Sequence, residues 1–228
     1  MTVVPGGPGW LLALDTATTT IVVAAGSMAG EVLAAEAFEG RYRHSQELLP
    51  AVVRVVERVN LRLADLAGVV VGTGPGAFTG LRVGIAIAKT LAHELGCPVV
   101  GVASSSALLA ADGDATALWL PSGPRDRVLV IAGEDPVVVP GSDVAPALPS
   151  GAVEVAVDLE GRAPEAALAR GRAAVAGLPA ALLRLGAARL GAGEADDPER
   201  LVPRYASPPR GATGGDAEGG VAWSRDPR

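Results

Sequence analysis

The first forty residues alternate short apolar runs with turn-forming residues. Three runs, Trp10–Asp15, Thr20–Ala25 and Glu31–Phe38, are rich in residue types that favour strands, and the turn-like Thr16–Thr19 separates the first two. Strands joined by such short connections pair in antiparallel fashion. The pattern therefore predicts a three-stranded antiparallel meander, preceded by a loose segment rich in proline and glycine over residues 1–8.

A helical pattern follows the predicted meander. Ser45 is a good N-cap for a helix predicted over Gln46–Asn60, and Pro50 lies near its start, where it removes one backbone hydrogen bond. The apolar residues cover an arc of roughly 160°, wider than the stripe by which a helix usually faces one core. They are Leu48, Leu49, Val52, Val53, Val55, Val56 and Val59. Such an arc fits a helix buried within its own domain, or one that faces a core on one side and a partner on the other.

Beyond residue 65, strand and helix patterns alternate. The predicted elements are Val69–Gly72, Gly80–Leu95, Pro98–Ala103 and Ser104–Asp112, of which the second and fourth are helices. Thr79 can cap the longer helix and Gly96 can end it. The order of three strands, helix, strand, helix, strand and helix resembles the repeating unit of the actin/Hsp70/sugar-kinase (ASKHA) superfamily. That resemblance implies an α/β fold in which two such lobes face each other.

The second half of the chain has shorter elements. Strands are predicted at Ala115–Leu120, Arg127–Ala132, Pro136–Val139 and Val153–Val157. The Ala/Leu-rich region Pro164–Leu190 is interrupted by Gly171, Gly177 and Pro179, which predicts two helices instead of one. Leu201–Tyr205 is expected to close the fold.

Glycine, proline and isolated charges dominate from Ala206 onward, so we predict a disordered tail. The expected organisation is a first lobe over residues 9–104, a reduced second lobe over 105–206 and a tail over 207–228.

Composition narrows the possible functions. Of the 228 residues, 49% are hydrophobic and 19% charged, as in globular proteins, and the net charge of −6 disfavours a protein that binds nucleic acid by itself. Cys97 is the only cysteine, which excludes an intrachain disulfide and a thiolate zinc site and favours a cytoplasmic setting. No signal-peptide pattern and no apolar run of about 18 residues is present, so we expect no membrane association.

The glycine-rich stretch over residues 72–84 is a candidate anion cradle. It departs from the P-loop because Leu81 follows Gly80, and from the dinucleotide fingerprint because no acidic residue ends the next strand. Close packing is an alternative role, since Gly80 and Gly84 share one helical face and admit a neighbouring backbone. Arg82 lies on a basic stripe with Lys89 and His93. Such a stripe is usually a solvated face, and a contact surface is the alternative. Phe78 stands at the entry turn, where it could anchor a contact.

Three segments together resemble the TsaB family. The run GTGPGAFTGLRVGIAIAKTLA over residues 72–92 is similar to the family signature, with LALDTATTT (12–20) and RYRHSQELLP (41–50) before it in the same order. The resemblance extends from Leu11 to about Ala110, and Pro203-Arg204-Tyr205 resembles the family's closing motif. It implies two actin-like lobes, the second reduced. It also implies a non-catalytic accessory subunit of bacterial tRNA threonylcarbamoyladenosine (t6A) synthesis, with the catalytic paralogue TsaD and the ATPase TsaE as partners.

The resemblance also bears on chemistry. TsaD carries two metal-binding histidines after the strand that follows its glycine segment, and those positions fall on Ser104 and Leu108 here. We therefore expect no catalytic residues, no metal and no cofactor. Asp15 stands where kinases of the superfamily hold phosphate and magnesium. It is a weak cofactor candidate, and an ATP-binding kinase-like enzyme is the alternative function, whereas the missing histidines speak against a metallopeptidase.

The resemblance places the TsaD contact on the two helices of the first lobe, a surface also usable for self-association when TsaD is absent. Contact with tRNA is expected only through the complex. The predicted partner-binding residues are Leu48, Leu49, Val52, Val53, Val56, Phe78, Gly80, Arg82, Gly84 and Ala88. The sequence departs from the family in the second-lobe hairpin, at Leu120–Val128, where TsaB proteins usually carry a Gly-Glu-Val-Tyr motif.

Overall fold

The computed structural model describes residues 9–40, 44–143 and 146–206. The predicted loose segment over 1–8 and the predicted tail over 207–228 lie outside these residues. A five-stranded sheet is built from β1 (Trp10–Asp15), β2 (Thr20–Gly26), β3 (Val32–Glu39), β4 (Leu66–Gly72) and β5 (Val99–Val102). Its strand order is β3-β2-β1-β4-β5, in which β1, β2 and β3 pair antiparallel while β4 and β5 run parallel to β1. The predicted meander is confirmed.

Helices cover both faces of this first sheet. They are α1 (His44–Arg58), α2 (Phe78–Leu95), α3 (Ser104–Asp112) and α4 (Glu165–Gly191), with a short 3₁₀ turn at Leu63–Asp65. Alternate residues of β1 point to opposite faces, so Leu12 packs in one apolar cluster with α1 and α2, and Leu11 packs in another with α3 and α4. Because both faces of β1 are buried, its sequence is a continuous apolar run from Trp10 to Leu14.

A second sheet repeats the topology of the first. It contains β6 (Ala117–Ser122), β7 (Asp126–Ile131), β8 (Val137–Val139) and β9 (Glu154–Ala156), in the order β8-β7-β6-β9. As in β3-β2-β1-β4, three antiparallel strands are followed by one parallel to the first of them. The second sheet has four strands against five, and the described residues between β8 and β9 form no helix. The α/β, actin-like fold class with a reduced second half is therefore confirmed. The boundary drawn after residue 104 stays a prediction.

Helix α4 corrects one prediction, because the region expected to form two helices over Pro164–Leu190 forms one helix of 27 residues, Glu165–Gly191. Its interruptions serve packing. A Cβ at Gly171 would overlap the carbonyl oxygen of Ala156, and Pro179 is buried within the helix. Tertiary contacts thus outweigh local propensity. By length and mean hydropathy, 1.4, α4 could cross a membrane, but its leucines at 178, 182 and 183 are buried in the core that joins the two sheets.

The chain after α4 covers the outer edge of β5. The amide of Asp196 donates to the Val99 carbonyl at 2.9 Å, and the Asp196 carboxylate accepts the Gly101 amide at 2.6 Å. Arg189 donates to the Gly101 carbonyl at 2.8 Å and to both carboxylate oxygens of Asp196 at 2.9 and 3.0 Å. These bonds satisfy backbone groups that an edge strand would otherwise present to other chains.

We expect Asp196→Asn to lower the free energy of unfolding by about 1 kcal/mol at pH 7. Hydrogen bonds from Arg189 hold the pKa of Asp196 below its ordinary 3.8. A lowered folded-state pKa adds stability above 3.8 that is lost as pH falls through the folded-state value. Urea unfolding should therefore show the difference from wild type at pH 7 and its decrease below pH 3.8. Asp197→Asn, at a more exposed neighbouring carboxylate, is the control, and equal effects at pH 7 would contradict a specific role for Asp196.

Candidate functional site

The glycine segment packs against the β1–β2 loop, Thr16–Thr19. The amide of Ala77 donates to the Ala17 carbonyl at 2.7 Å, and the Thr16 hydroxyl donates to the Gly80 carbonyl at 2.8 Å. A Cβ at Gly76 would overlap the Ala17 carbonyl, and one at Gly84 would overlap the Thr16 hydroxyl. The close packing predicted for Gly84 therefore exists, but its neighbour is the side chain of Thr16 and not another backbone.

These contacts also move the start of the helix from its predicted position. Helix α2 begins at Phe78, with Ala77 as the N-cap residue, so the prediction of a start at Gly80 capped by Thr79 is wrong. The bond from Ala77 to Ala17 explains the difference, because it satisfies an amide before the first turn in place of a side-chain cap. The other end is as predicted, since Gly96 ends the helix in a left-handed conformation with φ 64°.

Asp15 is sealed into a polar network. Its Oδ1 accepts the Ala17 amide at 2.8 Å and its Oδ2 accepts the Ser104 hydroxyl at 2.6 Å, while the Ser104 oxygen accepts the Gly74 amide at 3.1 Å. A Cβ at Gly72 would overlap the carboxylate. Burial raises the pKa of Asp15, and the bonds from Ser104 and Ala17 partly oppose that rise. This geometry supports a structural capping role for Asp15.

Ser104 and Leu108, at which the resemblance to TsaD implied its two histidines, are both buried in the structure. Ser104 begins α3 and belongs to the Asp15 network, and Leu108, one turn later, is fully buried in the core. Neither side chain has imidazole-like ligand chemistry. Within the described ranges, no group of three or more His, Cys, Asp or Glu could hold a metal ion.

The closing segment, Leu201–Ala206, lies across the glycine segment. The Arg204 amide donates to the Thr73 carbonyl at 2.7 Å, which places Tyr205 against Phe78 with ring centroids 4.8 Å apart. Arg82 lies 3.9 Å above the Phe78 ring and donates to the Tyr205 hydroxyl at 2.9 Å. The sequence analysis did not predict this cluster. It did identify the glycine segment and the closing motif that contribute its residues, and the small number of aromatic residues, two phenylalanines and two tyrosines, could have suggested that these aromatic side chains meet.

The predicted partner-binding residues separate into two groups. Leu49 and Val53 are 46% and 52% exposed on the outer side of α1, Arg82 is also exposed, and Phe78 is half-buried beside it. The others are buried in this chain: Leu48, Val52, Val56, Gly80, Gly84 and Ala88. The wide arc of α1 thus faces a core and also leaves apolar side chains outside. The buried residues can act on a partner only by shaping the helices, because they are not at the surface described here.

Comparisons with known proteins agree with this fold. The model of the TsaD family, tRNA N6-adenosine threonylcarbamoyltransferase, matches residues 38–188. YeaZ from Pseudomonas aeruginosa superposes with a TM-score of 0.66 and 26% identity, over 86% of this chain and 99% of that one. The chain belongs to the TsaD family, in its TsaB/YeaZ group.

The curated sequence relatives match a little under half of this chain. TsaB of Bacillus subtilis, a tRNA threonylcarbamoyladenosine biosynthesis protein, is 37% identical over 103 residues, which are 45% of this chain and 44% of that protein. TsaB of Escherichia coli is 38% identical over 94 residues, 41% of this chain and 40% of that protein. An uncharacterized protein of Mycobacterium tuberculosis is 41% identical over 99 residues, 43% and 47% of the two chains. The chain thus spans about half the length of the curated relatives it matches.

Gly84→Ala should destabilise this family member by roughly 1–3 kcal/mol, because the new methyl group overlaps Thr16 in a packed interior. Gly191→Ala, also within a helix but with open space around its Cβ position, is the matched control. We expect it to be neutral or slightly stabilising. Thermal unfolding measures both variants. Equal melting temperatures would show that the α2–loop contact tolerates a side chain.

The stability of wild type relative to Asp15→Asn should fall as pH rises above 3.8. The buried Asp15 carboxyl has a raised pKa, so the folded chain binds more protons than the unfolded chain between 3.8 and the folded-state value. Stability is therefore lost across that window, and asparagine removes the titration while keeping the shape. Urea unfolding of both proteins at a series of pH values measures the difference. A difference that is constant or that grows with pH would contradict the buried-carboxyl assignment.

Proposed function

We propose that this chain is a non-catalytic accessory subunit of the bacterial machinery that makes t6A on tRNA. In this proposal it acts in the cytoplasm by binding and activating a TsaD-type catalytic subunit, with the ATPase TsaE as a further partner. The TsaB relatives named for t6A biosynthesis support the pathway. The observation that carries the accessory role is that Ser104 and Leu108, where the family resemblance implies the metal-binding histidines of TsaD, are buried in this chain.

The Asp15 network supports the same conclusion. A nucleotide site of the superfamily type needs an accessible carboxylate at the end of the first strand. Here both carboxylate oxygens accept hydrogen bonds from the chain itself, and Gly72 approaches them closely. The loop that would hold phosphate in a kinase serves in this chain as a joint between β1, α2 and α3. This arrangement favours the accessory role over the kinase-like alternative.

The surface that we propose for the catalytic subunit is the outer face of α1 and α2. We define this α1–α2 face by exposed residues of α1 and half-buried residues of α2 spaced four apart: Leu49, Val53, Val83, Ile87 and Leu91. Exposed apolar side chains on adjoining helices are typical of a protein interface. A second copy of the chain could use the same face when no catalytic subunit is present. The net charge of −6 supports tRNA contact through the complex instead of through this chain alone.

We expect Leu49→Glu and Val53→Glu to weaken binding to a TsaD-type subunit by at least about tenfold, because each would bury an unpaired charge at an apolar interface. Val137→Glu is the matched control. Val137 is also a valine and is 52% exposed, as Val53 is, but it lies on β8 of the second sheet. Isothermal titration calorimetry gives the dissociation constants. Formation of t6A in a reconstituted system containing TsaD, TsaE and threonylcarbamoyl-adenylate should decrease in parallel.

Circular dichroism and melting temperature must be unchanged before a loss of binding is assigned to the face. Gly84→Leu is unsuitable as an interface probe, because its side chain would overlap Thr16 inside the chain. If folded Leu49→Glu and Val53→Glu bind as tightly as Val137→Glu, the α1–α2 face is not the docking surface. If the wild-type chain neither binds a TsaD-type subunit nor increases t6A formation, the accessory function itself is wrong.

A further inference from the structure

A carboxylate that follows the last strand of the second sheet accepts hydrogen bonds from the β1–β2 loop of the first sheet. Asp158 lies just after β9, and its two oxygens accept the amide and the hydroxyl of Thr19 at 2.7 and 2.5 Å. It has φ 57°, and Asn60 is the other non-glycine residue of the described chain with a positive φ. Such a conformation is unfavourable for an aspartate and persists where surrounding contacts compensate for it. The paired bonds to Thr19 are those contacts.

The loop that Asp158 holds is the one that contacts the start of α2. Thr19 is three residues beyond Thr16, whose hydroxyl binds the Gly80 carbonyl, and two beyond Ala17, whose carbonyl binds the Ala77 amide. A loop this short transmits a displacement at one end to the other. Hydrogen bonds at the two ends of this loop, joined by its backbone, therefore connect Asp158 to the first turn of α2.

The start of α2 carries the two predicted partner-binding residues of this helix that are not buried. Phe78 is its first residue and Arg82 follows one turn later, where it stacks on Phe78 and binds the Tyr205 hydroxyl. The direction of both side chains depends on where that turn lies. The closing segment holds the turn from one side through Tyr205, and the β1–β2 loop holds it from the other.

We propose that Asp158 is a positioning residue that, through Thr19, fixes the β1–β2 loop and thereby the first turn of α2. Its place in partner binding rests on the proposed function, because it matters only if Phe78 and Arg82 belong to the docking surface. The positioning itself does not, since it is a property of the chain alone. In this way the second sheet influences a surface built by the first.

Three substitutions at residue 158 separate the effect of the carboxylate's hydrogen bonds from the effect of the backbone conformation. Asp158→Asn keeps an acceptor for the Thr19 amide and a group that can pair with the hydroxyl, and asparagine tolerates a positive φ. Asp158→Gly removes both bonds without backbone strain, whereas Asp158→Ala removes both and adds strain. Thr19→Val and Thr19→Ser form a second pair. Valine removes the hydroxyl donor and keeps the backbone amide, whereas serine keeps both.

Hydrogen exchange of the amides of Ala77 and Leu81 measures how firmly the turn is held, because these amides exchange when their hydrogen bonds open. We expect Asp158→Gly to speed their exchange by about tenfold or more, as loss of a charge-assisted bond predicts, and Asp158→Asn to remain close to wild type. Amides in the middle of α4 are the internal reference and should not change. If Asp158→Gly does not fold, Thr19→Val should show a smaller increase that Thr19→Ser lacks.

Several results would overturn the positioning role. These are unchanged exchange at Ala77 and Leu81 in Asp158→Gly, an equal increase in Asp158→Asn, or an equal increase in α4, which would indicate global destabilisation. A second measurement, the affinity for a TsaD-type subunit, separates this inference from the proposed function. Faster exchange with weaker binding in Asp158→Gly supports both. Faster exchange with unchanged binding supports positioning by Asp158 and removes Phe78 and Arg82 from the docking surface.

Discussion

The β1–β2 loop packs so closely on the segment that leads into α2 and on its first two turns that Gly76 and Gly84 have no room for a side chain. The carbonyl of Ala17 occupies the space that a Cβ at Gly76 would need, and the Thr16 hydroxyl occupies the corresponding space at Gly84. A contact of this kind leaves little freedom to slide or rotate, because interiors are close-packed and each displacement meets repulsion. The orientation of α2 on the sheet, and with it the outer face that α2 shares with α1, follows from this contact.

The same region supports a structural role for a loop that has the form of a phosphate site. Its two nearest carboxylates, Asp15 and Asp158, both accept hydrogen bonds from residues of the loop, Asp15 from the Ala17 amide and Asp158 from Thr19. Two amides that could bind an anionic ligand, those of Ala17 and Thr19, thus donate to the chain's own carboxylates. A superfamily loop used in this way contributes rigidity, which is what a subunit that presents a surface to a partner requires.

The fold could be predicted where local pattern and tertiary packing agree. The strands of the meander, the end of α2 at Gly96 and the α/β class followed from periodicity and turn residues. The start of α2 and the continuity of α4 did not, because Ala77 is held by a loop 60 residues earlier in the chain and Gly171 fits against β9. Both errors arise where a distant backbone, absent from any local window, decides the conformation.

The candidate site also has features that local sequence predicts and features that only tertiary packing decides. A helical wheel identified the apolar arc of α1 but could not say that Leu48 points inward and Leu49 outward, since the arc was wider than one core. Nor could it pair Arg82 with Tyr205, 123 residues away, because only folding brings the closing segment over the glycine segment. Functional surfaces built from distant segments depend on information that no single stretch of sequence contains.

The reduced second sheet has a physical reason to persist even without a ligand. Through α3 and α4 it shares one apolar core with the first sheet, so its loss would expose the face of β1 that carries Leu11 and the buried leucines of α4. Exposure of these apolar faces would favour aggregation over a folded first sheet. Loss of the sheet would also remove the acceptor for Thr19, the loop residue on which Asp158 acts. The second sheet can therefore shorten to four strands, but a chain without it would have neither a closed core nor a fixed loop beneath the surface that α2 presents.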